Sequence, residues 1–434
     1  MLERRDFLAA TSAGFAALLA SACTARRVTD TSSLGTLMED PAGLLDLPPG
    51  FSYRIVSALG DRMDDGGTVP DNADGMGCFA LPGGKLALVR NHELRPGQHG
   101  GGATGLAYDR RPDGTILPGG TTTLVLDART LQVERQFRSL SGTIRNCAGG
   151  TTPWGTWLTC EEDVTRAGRG VGRDHGWVFE VPAAATGPVD PVPLTAMGRF
   201  YHEAACVDPA TGIVYLTEDR EDGLLYRFLP NRKGRLAEGG RLQALGLIDG
   251  RERDARNKKQ VDFAPGTHAK VRWIDLDAVD SPDDDLRDRG HALGALRFAR
   301  GEGIHMGRDE LYFACTSGGL AGIGQIFRLN LSPRGDVLDL FFESTDRALY
   351  DFGDNLTIAP DGQLIVCEDQ YTNPPANHLR GITRDGTPWT LARLRTTTEL
   401  AGACFSPDGR VLFVNLYSPT KTVAITGPWT WLGG

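Results

Sequence analysis

Residues 203–219, EAACVDPATGIVYLTED, carry the pattern that decides the fold. A polar residue begins a short apolar stretch, Asp208 and Pro209 begin a turn, and a second apolar stretch ends on Glu218 and Asp219. Aspartate and proline favour tight turns, and two short apolar runs on either side of such a turn are typical of a β-hairpin. The segment therefore predicts two antiparallel strands with polar residues at their open end.

The same pattern recurs along the chain. It returns at residues 302–317, 354–369 and 399–415, and looser copies lie at 74–91 and 147–162. A short hairpin repeated many times is typical of propeller blades, whereas a β-sandwich does not repeat one hairpin six times. The sequence therefore predicts an all-β fold, a six-bladed β-propeller.

The polar ends of these hairpins predict a metal site at one mouth of the central channel. Both ends of an antiparallel hairpin lie together, so the ends of six innermost hairpins would converge. Any single acid is more often a turn residue than a ligand, but crowded carboxylates repel one another unless they face solvent or bind cations. Carboxylates suit calcium, and a thiolate among them suits a transition metal. The predicted ring is Asp74, Asn91, Cys147, Glu162, Glu203, Glu218, Asp219, Glu302, Asp354, Asn355, Glu368, Asp369, Glu399 and Asn415.

The net charge of the protein argues against nucleic acid as a binding partner. The chain has 434 residues and a net charge of −9. An acidic protein is a poor partner for nucleic acid, which is bound through basic surfaces that release counterions. All-β folds of this length can form one domain, and we expect a single propeller over residues 31–434.

The cysteines are predicted to be small buried residues and not disulfide partners. Cys160 and Cys367 occupy equivalent places in two of the repeats, and so do Cys206 and Cys404. A cysteine that returns at one strand position is most simply a small apolar residue of the core. The pairing expected of many exported proteins is therefore the less favoured interpretation here.

The N-terminus reads as an export signal over residues 1–30. Arg4 and Arg5 precede Asp6-Phe-Leu and an apolar, alanine-rich run that ends before Cys23. The run is too short to span a bilayer, and the twin arginine resembles a signal for the Tat export machinery. Residues 20–23 also resemble a lipobox, which would make Cys23 a lipid anchor and the protein's one contact with a membrane. We expect a periplasmic or extracellular protein.

The segment from about residue 231 to residue 297 is predicted to be a charged insertion. Residues 283–289 within it are almost wholly ionic. A run of this kind is usually a solvated loop. It could also overhang the mouth of the channel and influence the choice of substrate.

One long motif resembles a known family. Residues 146–162, NCAGGTTPWGTWLTCEE, are similar to the signature segment of the PhoX-type alkaline phosphatases. Residues 74–76, 90–94 and 300–303 are also similar to that family, and a Tat signal is typical of it. The resemblance covers most of the mature chain, which would be a short member.

The resemblance implies a propeller that holds Fe(III) and Ca(II) in its channel and hydrolyses small-molecule phosphomonoesters. It implies that Cys147 bridges two irons and that Arg300 contacts the phosphoryl group. It leaves Asp74, Glu399 and Asn415 as turn or support residues. The implied carboxylate ligands are Glu162, Glu203, Glu302, either Glu218 or Asp219, and either Glu368 or Asp369, with Asn91, Glu93, Asp354 and Asn355 as weaker candidates.

Two other functions remain open from the sequence. The chain could be a calcium-dependent propeller hydrolase of another class, such as a lactonase, although Cys147 and Arg300 argue against a substrate without phosphate. It could also be a surface or periplasmic binding propeller without catalysis, because one fold hosts many functions. His92, His202 and His305 lie near the motifs and are expected to form hydrogen bonds and not to bind metal.

Overall fold

A computed structural model describes residues 31–32, 34–103, 105–249, 254–370 and 376–429. The predicted signal segment, with Arg4, Arg5 and Cys23, lies outside them. Almost all regular structure in the described residues is β-strand. Their short helices are a 3₁₀ turn at Thr195–Met197, another at Leu236–Glu238, and the α-helix α1 at Leu286–Ala292. None of the described helices is long and apolar enough to cross a bilayer.

The first half of the chain contains fifteen strands among its described residues. They are β1 (Thr31–Ser32), β2 (Gly35–Thr36), β3 (Leu45–Asp46), β4 (Ser52–Ala58), β5 (Ala73–Leu81), β6 (Lys85–His92), β7 (Gly119–Asp127), β8 (Val133–Thr143), β9 (Asn146–Thr151), β10 (Thr156–Glu161), β11 (Val178–Pro182), β12 (His202–Val207), β13 (Val214–Glu218), β14 (Gly223–Leu224) and β15 (Tyr226–Pro230).

The second half of the chain contributes fourteen strands among its described residues. They are β16 (Gly240–Leu247), β17 (His268–Asp275), β18 (Arg297–Phe298), β19 (Gly301–Met306), β20 (Glu310–Cys315), β21 (Gln325–Asn330), β22 (Val337–Glu343), β23 (Gly353–Ile358), β24 (Leu364–Glu368), β25 (His378–Ile382), β26 (Pro388–Leu394), β27 (Leu400–Phe405), β28 (Leu412–Leu416) and β29 (Lys421–Thr426).

The strands form a closed propeller. The strands β5, β9, β12, β19, β23 and β27 each begin one of the six predicted hairpins and contact their neighbours in that order. Strand β27 in turn contacts β5, which closes the ring. All the hairpins pair antiparallel, so the predicted all-β propeller is confirmed.

Two N-terminal strands complete C-terminal sheets. Strand β4 pairs with β29, and β3 pairs with β26 through Asp46 and Arg393. The Asp46 carboxylate is buried and accepts hydrogen bonds from Arg393 at 2.7 and 2.9 Å. The start of the chain therefore fastens two neighbouring sheets near its end.

The blade count stays a prediction. Strands β12 to β22, apart from β14 and β18, form one nine-stranded sheet and not two separate four-stranded blades. The join is β17, whose residues 271–275 pair with β16 and whose residues 268–270 pair with β22. Elsewhere the sheets β5–β8, β9–β11, β23–β26 with β3, and β27–β29 with β4 are separate.

The hairpin turns form for the reason that the sequence suggests. Asp208 begins the turn of the β12–β13 hairpin, where its side chain accepts hydrogen bonds from the backbone amide of Ala210 at 2.8 Å and the hydroxyl of Thr211 at 2.5 Å. An aspartate that bonds its own following backbone stabilises such a turn locally. The buried apolar residues of both strands then pack between the sheets, as Val207 of β12 and Leu216 of β13 do.

The ionic run 283–289, which its composition favours as a solvated loop, enters an α-helix, and the charged segment 231–297 around it contains strands. The segment contributes β16 and β17 to the nine-stranded sheet and also contains α1. Leu286 and Gly290 of this helix are buried. Arg287 forms ion pairs with Asp222 and Asp284, both at 3.3 Å. Charges four and three residues apart lie on one helix face, so local ion pairing absorbs much of the ionic run.

The described cysteines form no disulfide. All seven are free thiols, and five of them are buried. Cys160 and Cys367 belong to apolar clusters between sheets. The structure therefore agrees with their interpretation as small core residues.

Candidate metal centre

A β-bulge interrupts each innermost hairpin near its open end. In the β12–β13 pair, His202 lies opposite Glu218 and Ala205 lies opposite Leu216, so Glu203 and Ala204 together face one residue. Extra residues of this kind bend a strand and redirect a side chain. The two-residue bulges are Asp74–Gly75, Cys147–Ala148, Glu203–Ala204, Glu302–Gly303, Asp354–Asn355 and Gly402–Ala403.

The first residue of five of these bulges is an acid or a cysteine, and these side chains meet at the channel mouth. Ligand atoms of Asp74, Glu93 and Cys147 lie within 4.8 Å of one another, as do those of Cys147, Glu162 and Glu203. Those of Glu203, Glu302 and Asp354 form a third such group. The three groups share Cys147 and Glu203, so they form one continuous cluster. We call Asp74, Cys147, Glu203, Glu302 and Asp354 the bulge ligands.

Two of the bulge ligands, Glu203 and Asp74, have buried carboxylate oxygens without a partner among the described residues. Neither carboxylate oxygen of Glu203 has a hydrogen-bond partner among the described residues. Asp74 Oδ1 has no such partner either. Both side chains are buried. A buried carboxylate without a partner is costly, and native proteins avoid it unless an ion or another group is bound. The donor set therefore fits cations, with oxygen ligands for hard ions and one thiol for a softer one.

Burial and like charge shift the acidity of these groups. Burial raises the pKa of Glu203 well above the usual range, and the neighbouring Glu302 and Asp354 add to the effect. Burial, then Asp74 and Glu203, likewise raises the pKa of the Cys147 thiol. The pKa of Asp354 rises to about 7, chiefly by burial and then by Asp369. Cations would reverse these shifts by favouring the charged forms.

The second strands of the hairpins supply a further tier of acids. Glu162, Asp219 and Asp369 each follow the last residue of a second strand, and they line the same cavity together with Glu93. Side chains alternate across a strand, so the preceding residue of each pair must point away. The cavity has a volume of about 540 Å³ and is lined by nine carboxyl groups and three guanidinium groups.

The preceding acids bond to neighbouring strands of their own blades. Glu218 accepts hydrogen bonds from the hydroxyl of Tyr226 at 2.8 Å and the amide of Leu224 at 3.1 Å. Glu368 binds His378 and Arg380, each at 2.7 Å. Neither acid lines the cavity. The structure thus separates the two uncertain pairs, placing Asp219 and Asp369 at the site and Glu218 and Glu368 between strands.

Arg300 reaches into the cavity from the residue before β19. Its Nε and Nη2 atoms donate to the two oxygens of Asp219 at 2.8 and 3.1 Å, and Nη2 lies 2.8 Å from Glu302 Oε1. No described residue accepts a hydrogen bond from its Nη1 atom. The side chain is 28% exposed. Arg300 is therefore fixed by two carboxylates and still has one edge of its guanidinium available.

The family of the chain follows from its sequence match. The sequence model of the alkaline phosphatase PhoX family matches residues 32–130 and 118–420. The chain belongs to the PhoX alkaline phosphatase family. No curated protein matches the chain.

One solved structure agrees with the fold of this PhoX family member. PhoX of Pseudomonas fluorescens, solved in complex with vanadate, a transition state analogue, is similar with a TM-score of 0.69 and 19% identity. The similarity covers 89% of this chain and 96% of that chain. A gluconolactonase from Xanthomonas campestris is more distant, with a TM-score of 0.42 and 13% identity over 88% of this chain and 98% of that chain.

Several residues that line the cavity of this PhoX member were not expected there from the sequence, among them Glu399, which was expected to be a turn or support residue. Asp74, expected to be a turn or support residue, is the bulge residue of β5 and belongs to the cluster. Arg145, which the sequence analysis did not single out, lines the cavity and binds Glu93 and Glu162. A signal for Asp74 exists, since an acid or cysteine precedes glycine or alanine at four of the bulges.

The predicted amides support the site and do not face it. Asn91 donates to the carbonyls of Cys147 and Ala148 at 3.0 and 2.7 Å, which fixes the next blade. Asn415 donates to the carbonyl of Asp74 at 2.6 Å. Asn355 accepts from the amide of Gly402 at 2.8 Å. The weaker candidates Asn91 and Asn355, and the expected support residue Asn415, therefore hold the bulges in position.

His92 and His202 form hydrogen bonds as expected, whereas Nδ1 of His305 has no partner among the described residues. His92 contacts the carbonyl of Asp71 at 3.0 Å and the hydroxyl of Thr122 at 2.9 Å. His202 contacts the carbonyl of Gly198 at 2.9 Å, and burial lowers its pKa to about 3. Burial also lowers the pKa of His305 to about 4. No described histidine joins a group of candidate metal ligands.

Proposed function

We propose that the protein is a metal-dependent phosphomonoesterase that acts at the mouth of its propeller channel. Membership of the alkaline phosphatase PhoX family supports a phosphatase. The observation that carries the proposal for this chain is the cluster of bulge ligands with unpaired buried oxygens beside the open edge of Arg300. A phosphoryl group needs cations and a planar donor fork, and this cavity supplies the residues for both.

The residues of the cavity have three roles in the proposed reaction: metal binding, phosphoryl binding and positioning of the guanidinium. The bulge ligands would hold the metal ions, which can polarise phosphoryl oxygens and stabilise the charge of an in-line displacement. Arg300 would bind further phosphoryl oxygens through Nη1. Asp219 binds two of the nitrogens of Arg300 and so sets the plane of the guanidinium. Positioning of this kind lowers the barrier because the charge-stabilising groups need no rearrangement.

Purified, metal-replete protein is expected to hydrolyse p-nitrophenyl phosphate, and a chelator is expected to remove the activity. The release of p-nitrophenol measures both results, and restored activity on adding metal separates ion loss from unfolding. Lack of hydrolysis by folded protein that contains metal would contradict the proposal and would favour a binding role.

We propose that the metals are Fe(III) and Ca(II), as the family resemblance implies. Support comes from the mixture of one thiol and several carboxylates, which suits both a softer and a harder cation. We expect elemental analysis to find iron and calcium, and a visible thiolate-to-iron absorption band that is lost in Cys147→Ala. Calcium without iron in fully active protein would contradict the iron assignment.

Arg300→Lys is expected to lower kcat/KM for p-nitrophenyl phosphate by about 10- to 100-fold, since lysine is a point charge and cannot form the paired hydrogen bonds. Metal content should stay unchanged because Arg300 is not a ligand. Arg166→Lys is the matched control. Arg166 does not line the cavity, and it forms an exposed ion pair in which its Nε atom lies 3.0 Å from Asp174 Oδ1. Equal kcat/KM in both variants would contradict a role for Arg300 in binding the phosphoryl group.

We also propose that the protein is exported through the Tat machinery and acts in the periplasm or outside the cell. The twin arginine at positions 4 and 5 supports export, and Cys23 supports a lipid anchor. Replacing both arginines by lysine should retain the protein in the cytoplasmic fraction. Release of the wild-type protein without detergent would contradict the anchor but not the export.

A further inference from the structure

Two arginines occupy equivalent places at the cavity. Arg145 is the residue before β9, and Arg300 is the residue before β19. Both have a left-handed backbone, with φ of 46° and 54°. Each bridges an acid of the preceding hairpin to an acid of its own hairpin. Asn72 and Phe352 have the same left-handed backbone directly before β5 and β23, so this conformation belongs to the hairpin repeat, and the guanidinium groups are what distinguish the places of Arg145 and Arg300.

The two guanidinium groups differ in what they leave available. Arg145 uses all three of its nitrogens: Nε donates to Glu93 at 2.8 Å, and Nη1 and Nη2 donate to the carbonyl and carboxylate of Glu162 at 2.9 and 2.5 Å. Its Nη2 atom also lies 2.7 Å from Glu93 Oε1. Its side chain is 17% exposed, less than that of Arg300. Arg145 therefore has no open edge like the one that Arg300 presents.

Both carboxylate oxygens of Glu93 accept hydrogen bonds, whereas neither oxygen of Glu203 accepts one from a described residue. The Oε1 atom of Glu93 accepts from Arg145, and its Oε2 atom accepts from the hydroxyl of Tyr417 at 2.5 Å. Glu203 has no hydrogen-bond partner among the described residues. Proximity alone would group Glu93 with Asp74 and Cys147 around an ion. The hydrogen bonds argue otherwise, because the positive guanidinium of Arg145 already balances the charge of Glu93 and would repel a cation at the same carboxylate, while Tyr417 occupies its second oxygen.

We propose that the guanidinium of Arg145 takes the place of a cation between Glu93 and Glu162, so that Glu93 binds no metal. The cavity then has two sides. On one side Arg145 neutralises Glu93 and Glu162, which follow the second strands of the first two hairpins, and on the other the bulge ligands hold the metal ions. This inference rests on the proposed metal-dependent function. It makes Arg145 a positioning residue that sets how many ions the site accepts.

The first test counts calcium. Arg145→Gln removes the charge, and the freed carboxylates should bind one additional calcium ion per chain, measured by elemental analysis after equilibration with calcium. The double variant Glu93→Gln with Arg145→Gln should return to the wild-type count. Arg166→Gln, which removes an arginine from an exposed ion pair, is the control and should bind as the wild type does. An unchanged count in Arg145→Gln would overturn the proposal.

The second test stays informative if Arg145→Gln does not fold. Glu93→Gln alone preserves the shape of the side chain and its acceptor oxygen. We expect it to keep the wild-type number of metal ions, whereas Glu203→Gln should lose metal. Loss of one ion from Glu93→Gln would identify Glu93 as a ligand and overturn the proposal. Wild-type protein that binds no metal would refute the proposed function itself, an outcome distinct from a wrong count in the variants.

Discussion

Glu203→Gln is expected to lower kcat/KM for p-nitrophenyl phosphate by about 1,000-fold or more and to reduce the metal content of the purified protein. Glu203 belongs to two of the three groups of candidate ligands, and both of its oxygens lack a protein partner. The amide of glutamine has the same size but carries no charge and only one oxygen. Metal ions contribute several kcal/mol to stabilising phosphoryl transfer, which corresponds to a rate effect of this order.

The same substitution should act in the opposite direction on the chelated protein. Without cations, Glu203 is a buried carboxylate without a partner, so its replacement by a neutral side chain removes an unfavourable term. Thermal unfolding in chelator should therefore show a higher Tm for the variant, and unfolding with metal should show a lower one. Glu134→Gln is the control, since it removes one charge from an exposed pair with Lys85. A variant that keeps its metal, its activity and the wild-type Tm in chelator would contradict the role of Glu203 as a ligand.

The sequence predicted the hairpins and their convergence because both depend on local signals. Turn residues and period-2 patterns act over a few residues, and an antiparallel turn brings strand ends together by necessity. Because polar residues recur at the same positions of each repeat, the sequence alone indicates which residues lie at the open ends of the hairpins. The pairs Glu218–Asp219 and Glu368–Asp369 stayed ambiguous, because the pattern gave no register, and a shift of one residue turns a side chain to the other face.

The bulges could not be predicted in this way. Asp74 reaches the cluster because two residues of β5 face one residue of β6. A bulge depends on pairing between strands, and its sequence mark is only a small residue such as Gly75 or Ala204 after the acid. The same limit applies to Arg145, whose role depends on Glu93 from the neighbouring hairpin. Contacts between blades are not visible in a pattern that describes each blade alone.

The ionic segment shows the opposite limit. Its composition indicated a solvated loop, yet β16 and β17 lie within it and extend the nine-stranded sheet. The buried positions of β16, such as Leu245, pack against partners far along the chain, including Leu296. Tertiary packing therefore determines the strands of this segment, although its local charge pattern indicates no regular secondary structure.

A substitution in the sixth bulge, Gly402–Ala403 of β27, is expected to have a large effect on the stability of the protein. Gly402→Ala is expected to lower the free energy of unfolding by about 3 kcal/mol or more. Gly402 has φ of +60°, and a Cβ atom there would lie 2.3 Å from the carbonyl oxygen of Asp74. Relief of this overlap requires either strand β27 or the bulge of β5 to move. Because the clash involves backbone, no side-chain rotation can absorb it.

The effect should extend from stability to metal binding, because the carbonyl of Asp74 belongs to the residue whose carboxylate faces the cluster. Gly155→Ala is the matched control: Gly155 also has a positive φ, of +82°, but its Cβ would meet open space. That variant should cost only about 1–2 kcal/mol of backbone strain and leave metal content unchanged. Urea unfolding and calcium titration of both variants separate the two contributions. If the two variants lose equal stability and bind calcium equally, the close approach of Gly402 to Asp74 does not position the site, and the sixth bulge only closes the ring.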